Sequence, residues 1–118
     1  MKVLVFGGSG FIGRHLIPVL IKQGYVVVLF SRNPGKVNIA NNQLITTVKW
    51  DAVSVEPIMN HCLGSYVIIN LAGESIAAKP WTKTQKNLIL SSRLIITRLI
   101  SIVVQKASEK PQIIFQGI

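Results

Sequence analysis

A short apolar run, Val3-Leu4-Val5-Phe6, breaks directly into Gly7-Gly8-Ser9-Gly10-Phe11-Ile12-Gly13, and an amphipathic stretch follows it. Few folds accept that order. A buried strand has to leave its sheet through a tight turn and enter a helix packed close against that sheet. Gly7 permits the turn, Gly10 lets backbone approach a pyrophosphate with no Cβ between them, and Gly13 lets the helix sit near the strands. Phosphate oxygens would then face the helix N-terminus, whose unbonded N–H groups and dipole favour anions. The spacing predicts a dinucleotide-binding turn; a glycine turn with no ligand is the other reading of the same residues.

Further apolar segments recur at Tyr25 to Phe30, Leu44 to Val48, Tyr66 to Leu71 and Gln112 to Phe115. Each is nearly continuous in Val, Ile, Leu and Phe, with little alternation, as expected of parallel strands covered by helices on both faces. The segments between them predict a helix over about Phe11 to Gln23, stopped by Gly24, with Ile12, Leu16, Val19 and Leu20 on one face. Pro18 lies inside it and predicts a kink or a weakened turn. Pro34-Gly35 and Asn41-Asn42 mark a loop, and a brief helical turn is expected over Val55 to Cys62. The longest helix is expected from Thr82 or Thr84 to about Ala107, before Pro111. Its apolar residues nearly circle it: Leu88, Ile95, Ile96, Leu99, Ile102 and Val103 on one arc, Leu90, Leu94 and Val104 opposite. Such a helix is usually buried on two sides, here against the sheet and against a second helix, from a partner subunit or from further sequence. The fold class is α/β, a Rossmann-like doubly wound parallel sheet of about five strands.

The bulk properties agree. Hydrophobic residues make up 49% and charged ones 14% of the 118 residues, and the mean hydropathy is +0.47, which excludes a disordered chain and suits buried strands. The length suits one domain, residues 1–118, and falls short of most complete cofactor-dependent enzymes. No apolar run approaches the roughly 18 residues of a membrane span, and the glycine loop with Arg14 interrupts what could pass for a signal peptide. A cytoplasmic location is expected. The single Cys62 forms no internal disulfide and no Cys-based zinc site. His15 and His61 lack ligand spacing, so no metal is expected. The net charge of +9 attracts anions in general, but the basic residues are scattered and make no nucleic-acid motif.

Chemistry concentrates where strands end. About 20 residues beyond the glycine loop, where an acid usually binds the ribose 2′-hydroxyl of NAD, stands Ser31-Arg32. A guanidinium cannot accept from a hydroxyl but can clamp a 2′-phosphate, with Ser31 assisting, which favours NADP(H) over NAD(H); a solvated turn arginine before Asn33-Pro34-Gly35 is the alternative. After the third strand, Asp51 either accepts from an adenine amino group or caps the turn before Val53. Asn70-Leu71-Ala72-Gly73-Glu74 ends the fourth strand, as a wall for the cofactor or as a bare turn. Lys79, Lys83, Lys86 and Arg93 read as a solvated helix face, or as a basic strip. Trp81 fits either a loop cover or a substrate pocket.

Taken together, Val-Leu-Val-Phe-Gly-Gly-Ser-Gly-Phe-Ile-Gly-Arg-His-Leu, Leu-Phe-Ser-Arg-Asn-Pro, Val-Lys-Trp-Asp, Val-Ile-Ile-Asn-Leu-Ala-Gly-Glu-Ser-Ile and Trp-Thr-Lys-Thr-Gln-Lys closely resemble one group. It is that of the atypical extended short-chain dehydrogenases, nucleoside-diphosphate-sugar epimerase-like, in the NAD-dependent epimerase/dehydratase family. The resemblance covers the whole chain and implies pyrophosphate binding by Gly7, Ser9, Gly10, Phe11, Ile12 and Gly13. It further implies 2′-phosphate binding by Ser31 and Arg32, an adenine contact from Asp51, and a cofactor wall of Leu71, Ala72 and Gly73. Phe6 departs from it, since such proteins commonly carry Thr there, and predicts a small packing change. Members are also roughly twice this size or more, a cofactor half and a substrate half. The chain stops at Phe115-Gln116-Gly117-Ile118, where the family enters a Ser-rich active-site segment, and it has no Tyr-x-x-x-Lys pair for proton transfer. The expectation is therefore a cofactor-binding portion truncated before its substrate lobe, inactive alone, with no catalytic residue and no metal. A nucleotide-sugar-like substrate belongs only to a full-length parent. The alternative is a non-catalytic module that self-associates through an open sheet edge and the 84–107 helix.

Overall fold

A computed structural model describes residues 1–7, 11–31, 43–51, 53–71 and 83–116, with the helical backbone alone for 11–14 and 83–93. Five strands form one sheet: β1 (Lys2–Phe6), β2 (Val26–Ser31), β3 (Ile45–Lys49), β4 (Tyr66–Asn70) and β5 (Ile114–Gln116). Their order is β3-β2-β1-β4-β5 and every pairing is parallel, the doubly wound arrangement expected. The chain first works outward from β1 through β2 to β3, then returns to place β4 on the other side of β1. That reversal opens a crevice between β1 and β4 at the carboxyl edge. Among the described residues, three helices lie between the strands: α1 (Phe11–Lys22), α2 (Glu56–Met59) and α3 (Lys83–Lys106).

Parallel strands alternate their side chains between two faces, and each face has its own core. On one, Val3, Val5, Val27, Leu29, Ile69 and Leu71 pack with Ile17 of α1, an aliphatic layer. On the other, Leu4, Phe6, Val28, Phe30, Tyr66 and Ile68 pack with Ile58 of α2 and with Ile100 and Val103 of α3. That layer is aromatic at its carboxyl end. Phe6 stacks on Phe30 with ring centroids 4.7 Å apart and planes 7° from parallel, and Trp50 meets both rings edge-on at 5.2 and 6.0 Å. Phe6 thus joins two neighbouring rings in one aromatic cluster.

Two helix expectations needed revision. The buried face of α1 centres on Ile17 and Leu20, with Leu16 and Ile21 beside them, while Val19 is 54% exposed. At 100° per residue, Val19 lies roughly 130° from that centre. Pro18 lies exposed within α1, which continues past it to Lys22. In α3, the broad arc read from the sequence is split. Ile96, Leu99, Ile100, Val103 and Ala107 face the sheet, with Val104 half-buried at the margin, whereas Ile95 and Ile102 are exposed. The strand expectation was too uniform as well. β1, β2 and β4 are buried, but edge strand β3 shows Thr46 and Thr47 to solvent and β5 is exposed throughout.

The helix stop at Gly24 is a Schellman motif. Gly24 adopts φ +87 and donates to the Ile21 carbonyl at 2.9 Å, while Tyr25 donates to Leu20 at 3.1 Å. Both residues of that second bond then pack into the aliphatic layer, and the chain is aimed into β2.

Candidate functional site

Because all five strands run the same way, all their carboxyl ends meet at one edge. β1 leaves the sheet at Gly7, whose φ of +79 is the left-handed conformation that a side chain resists. Four residues later α1 begins at Phe11. The described backbone thus has a left-handed glycine at the strand tip and a helix that begins four residues on, the two ends of a strand-turn-helix of the kind at which anions bind. Phe11, Ile12 and Gly13 form the first three positions of that helix. Ser9 and Gly10 lie outside the described residues.

On one side of Gly7, β2 ends at half-buried Ser31, whose carbonyl accepts from the Trp50 N–H at 2.9 Å. Arg32 follows it outside the described residues. Asp51, just past β3, is fully engaged with its own turn. One carboxylate oxygen accepts from the backbone N–H groups of Val53 and Ser54, each at 2.8 Å, and the other accepts from the Ser54 hydroxyl at 2.7 Å. These bonds, the Ser54 N–H foremost, hold the Asp51 carboxyl down at about 2, because each favours the charged form. Trp50 Nε1 donates to the Ser54 carbonyl at 2.9 Å and closes the same turn. Of the two readings of Asp51, the turn cap is the one seen, and it presents an ionised carboxylate at the exposed rim.

On the other side, Leu71 is packed into the aliphatic layer and its N–H donates to the Phe6 carbonyl at 2.7 Å. Beside the glycine turn it can therefore offer backbone, not side chain. Ala72, Gly73, Lys79 and Trp81 lie outside the described residues. The preceding residue, Asn70, was read only as part of the strand-end segment, and nothing in the sequence pointed to its partner. Asn70 is the one buried residue of polar or charged type among those described, 4% exposed, and its Nδ2 donates to Gln116 Oε1 of β5 at 3.0 Å. An unpaired amide at that depth would cost about 1–3 kcal/mol. The available signal was a single polar residue closing an otherwise apolar strand.

The matched sequences agree with this geometry. Residues 3–117 match the model of the NAD dependent epimerase/dehydratase family. The chain belongs to that family. It is 39% identical to the epimerase family protein YfhF of Bacillus subtilis, over 99% of this chain and 37% of that relative. It is 34% identical to human epimerase family protein SDR39U1, over 95% of this chain and 34% of that protein. The crystal structure of human SDR39U1 isoform 2 with NADPH superposes with a TM-score of 0.68 at 32% identity, covering 98% of this chain and 36% of that one. A UDP-glucuronic acid 4-epimerase from Bacillus cereus, at 20% identity, shares the fold with a TM-score of 0.72. The chain thus spans about a third of the length of the relatives it matches. Among the described residues, no helix is long and apolar enough to cross a membrane.

Proposed function

We propose that this chain is the NADP(H)-binding portion of an epimerase-like short-chain dehydrogenase, residues 1–118 acting as one cofactor-binding domain. The observation that carries the reading is the left-handed Gly7 at the tip of the central strand, four residues ahead of a helix and beside the strand-order reversal. Gly7, Ser9, Gly10, Phe11, Ile12 and Gly13 would seat the pyrophosphate, with main-chain N–H groups and the helix dipole opposing its charge. Ser31 and Arg32 would hold the adenosine 2′-phosphate, Asp51 would stand at the adenine, and Leu71, Ala72 and Gly73 would form the wall on the far side. The NADPH of the human SDR39U1 structure supports the phosphorylated cofactor, as does a guanidinium where NAD-preferring sites place an acid. Bound there, the cofactor would supply a hydride; no residue of this chain is assigned a catalytic step. A nucleotide-sugar-like substrate, and turnover, are ascribed only to a longer protein with a second half. A cytoplasmic location goes with this reading.

Titration by fluorescence tests it. NADPH is expected to bind more tightly than NADH, and Arg32→Ala to remove most of the difference, a loss of about tenfold or more for a charge-assisted pair. Equal affinities in the parent chain would end the NADP(H) preference, and no binding of either would end the cofactor reading.

The exposed apolar residues favour a second reading, self-association. Leu94 and Ile95 of α3 are 59% and 53% exposed, and Phe115 on the outermost strand is 57% exposed. An unpaired strand edge and an uncovered apolar stripe both invite partners. Light scattering over a concentration series decides it: a homodimer through the 84–107 helix or the β5 edge predicts a mass that doubles, and a constant monomer mass rejects it.

A further inference from the structure

The last rung of the sheet changes character along its length. In register across the carboxyl edge stand Val48 of β3, Phe30 of β2, Phe6 of β1, Asn70 of β4 and Gln116 of β5. Lateral neighbours in a parallel sheet share a face, so these five side chains form one row. The half under β3, β2 and β1 is apolar, with Phe30 and Phe6 stacked. The half under β4 and β5 is a pair of primary amides. Gln116 is exposed; its Oε1 accepts from buried Asn70, which fixes the amide so that the Nε2 donor, not used in that bond, is turned away from Asn70. A pair serving only to zip two strands needs no amide at this depth; two aliphatic residues would do it without burying a polar group.

Cofactor geometry gives the pair an occupant. With the pyrophosphate at the β1 turn and the adenosine directed toward the β2 tip, the second nucleoside must leave the pyrophosphate the other way, over β4 and β5. We propose that Gln116 donates from Nε2 to an oxygen of the nicotinamide riboside half of the cofactor, and that Asn70 is the positioning residue holding the Gln116 amide in that orientation. This inference rests on the cofactor reading above. It adds a binding residue at a strand outside the glycine loop, and assigns the polarity break along the rung to the two chemically different halves of one ligand.

Three ligands separate the possibilities: NADPH, 2′-phospho-ADP-ribose, which lacks the nicotinamide, and adenosine 2′,5′-bisphosphate, which lacks the second ribose as well. Gln116→Glu keeps an acceptor for Asn70 and removes the donor. It is expected to weaken NADPH by about three- to tenfold, the worth of one hydrogen bond, and to leave adenosine 2′,5′-bisphosphate unchanged. If 2′-phospho-ADP-ribose weakens with NADPH, the acceptor is a ribose hydroxyl; if it does not, the acceptor is the carboxamide; either result supports the assignment. Gln116→Leu should give the same pattern, which guards against an effect of the introduced charge. Equal weakening of all three ligands would reduce the pair to a structural zip and overturn the proposal, as would no change in NADPH. A parent chain that binds none of the three would instead overturn the cofactor reading itself.

Discussion

The two ends of the sheet treat their polar groups in opposite ways. At the amino end, polar atoms are spent on one another. Lys2 Nζ donates to the His61 carbonyl at 2.8 Å, the Tyr66 hydroxyl to the Glu109 carbonyl at 2.6 Å, Gln112 Nε2 to Ser65 Oγ at 2.6 Å, and the Gly64 N–H to the Glu109 carboxylate. Burial there favours uncharged forms: it pushes the Cys62 thiol and the Tyr66 phenol up and the His61 imidazole down, Lys2 adding to the last. At the carboxyl end, Asp51 is held ionised at the rim, Gly7 is bent into a left-handed turn, and Gln116 keeps a donor toward solvent. Among the described residues, the amino end closes with bonds between separate elements, whereas at the carboxyl end Asp51 bonds only within its own exposed turn and Gln116 stays exposed. The difference teaches where this domain invests in stability and where it leaves room for a ligand.

Substitutions at the two ends should therefore separate stability from binding. Tyr66→Ala empties a fully buried site and removes the bond to Glu109, and an expected loss of about 3–5 kcal/mol in urea denaturation follows. That is a large share of the roughly 5–15 kcal/mol of a typical domain. Tyr66→Phe, which removes the hydroxyl alone, should cost about 1 kcal/mol; a loss near zero for both would break the claim that the amino end anchors the fold. Gly7→Val forces a β-branched residue to φ +79, at about 1–2 kcal/mol, yet it should abolish NADPH binding at protein concentrations where the fold persists.

Acid sharpens the contrast more gently. The folded pKa of His61 lies below the ordinary 6.5 because burial disfavours the imidazolium, so the unfolded chain takes up the proton first. The associated stability is complete above 6.5 and declines as pH falls below it. His61→Phe should flatten that decline, read as urea midpoints at about pH 7.5 and about pH 5.5. Asp51 has a folded value of about 2 against an ordinary 3.8. Its contribution is complete above 3.8 and is lost as pH falls through 2, so Asp51→Asn should lower the urea midpoint slightly at neutral pH and remove the decline over that acid window. This is the smallest effect expected, since the carboxylate is wholly exposed.

Legibility in the sequence followed the range of the interaction. The five strands, α1 and α3 were all readable within one or two residues at most ends, because apolar runs, Gly24 and the glycine loop are local signals. β5 was read as Gln112 to Phe115 and lies at Ile114–Gln116, where little burial marks its bounds. Asp51 could be placed at the correct edge but not given one role, since a cap and an adenine acceptor require the same residue in the same turn. The Asn70–Gln116 pair spans 46 positions and no periodicity announces it.

By itself, the order of residues determined which segments are strands and which are the two longer helices, that the first strand opens into a glycine turn, and that an arginine follows the second strand. Those are matters of backbone conformation and near-neighbour spacing. Only the tertiary structure decided that Ile100 is buried while Ile95 is not, that Phe6 stacks on Phe30, and that a buried amide at the end of β4 meets one on β5. Each depends on which surface arrives opposite a given side chain, and that is set by strand order and register, not by the side chain's own neighbours in the chain.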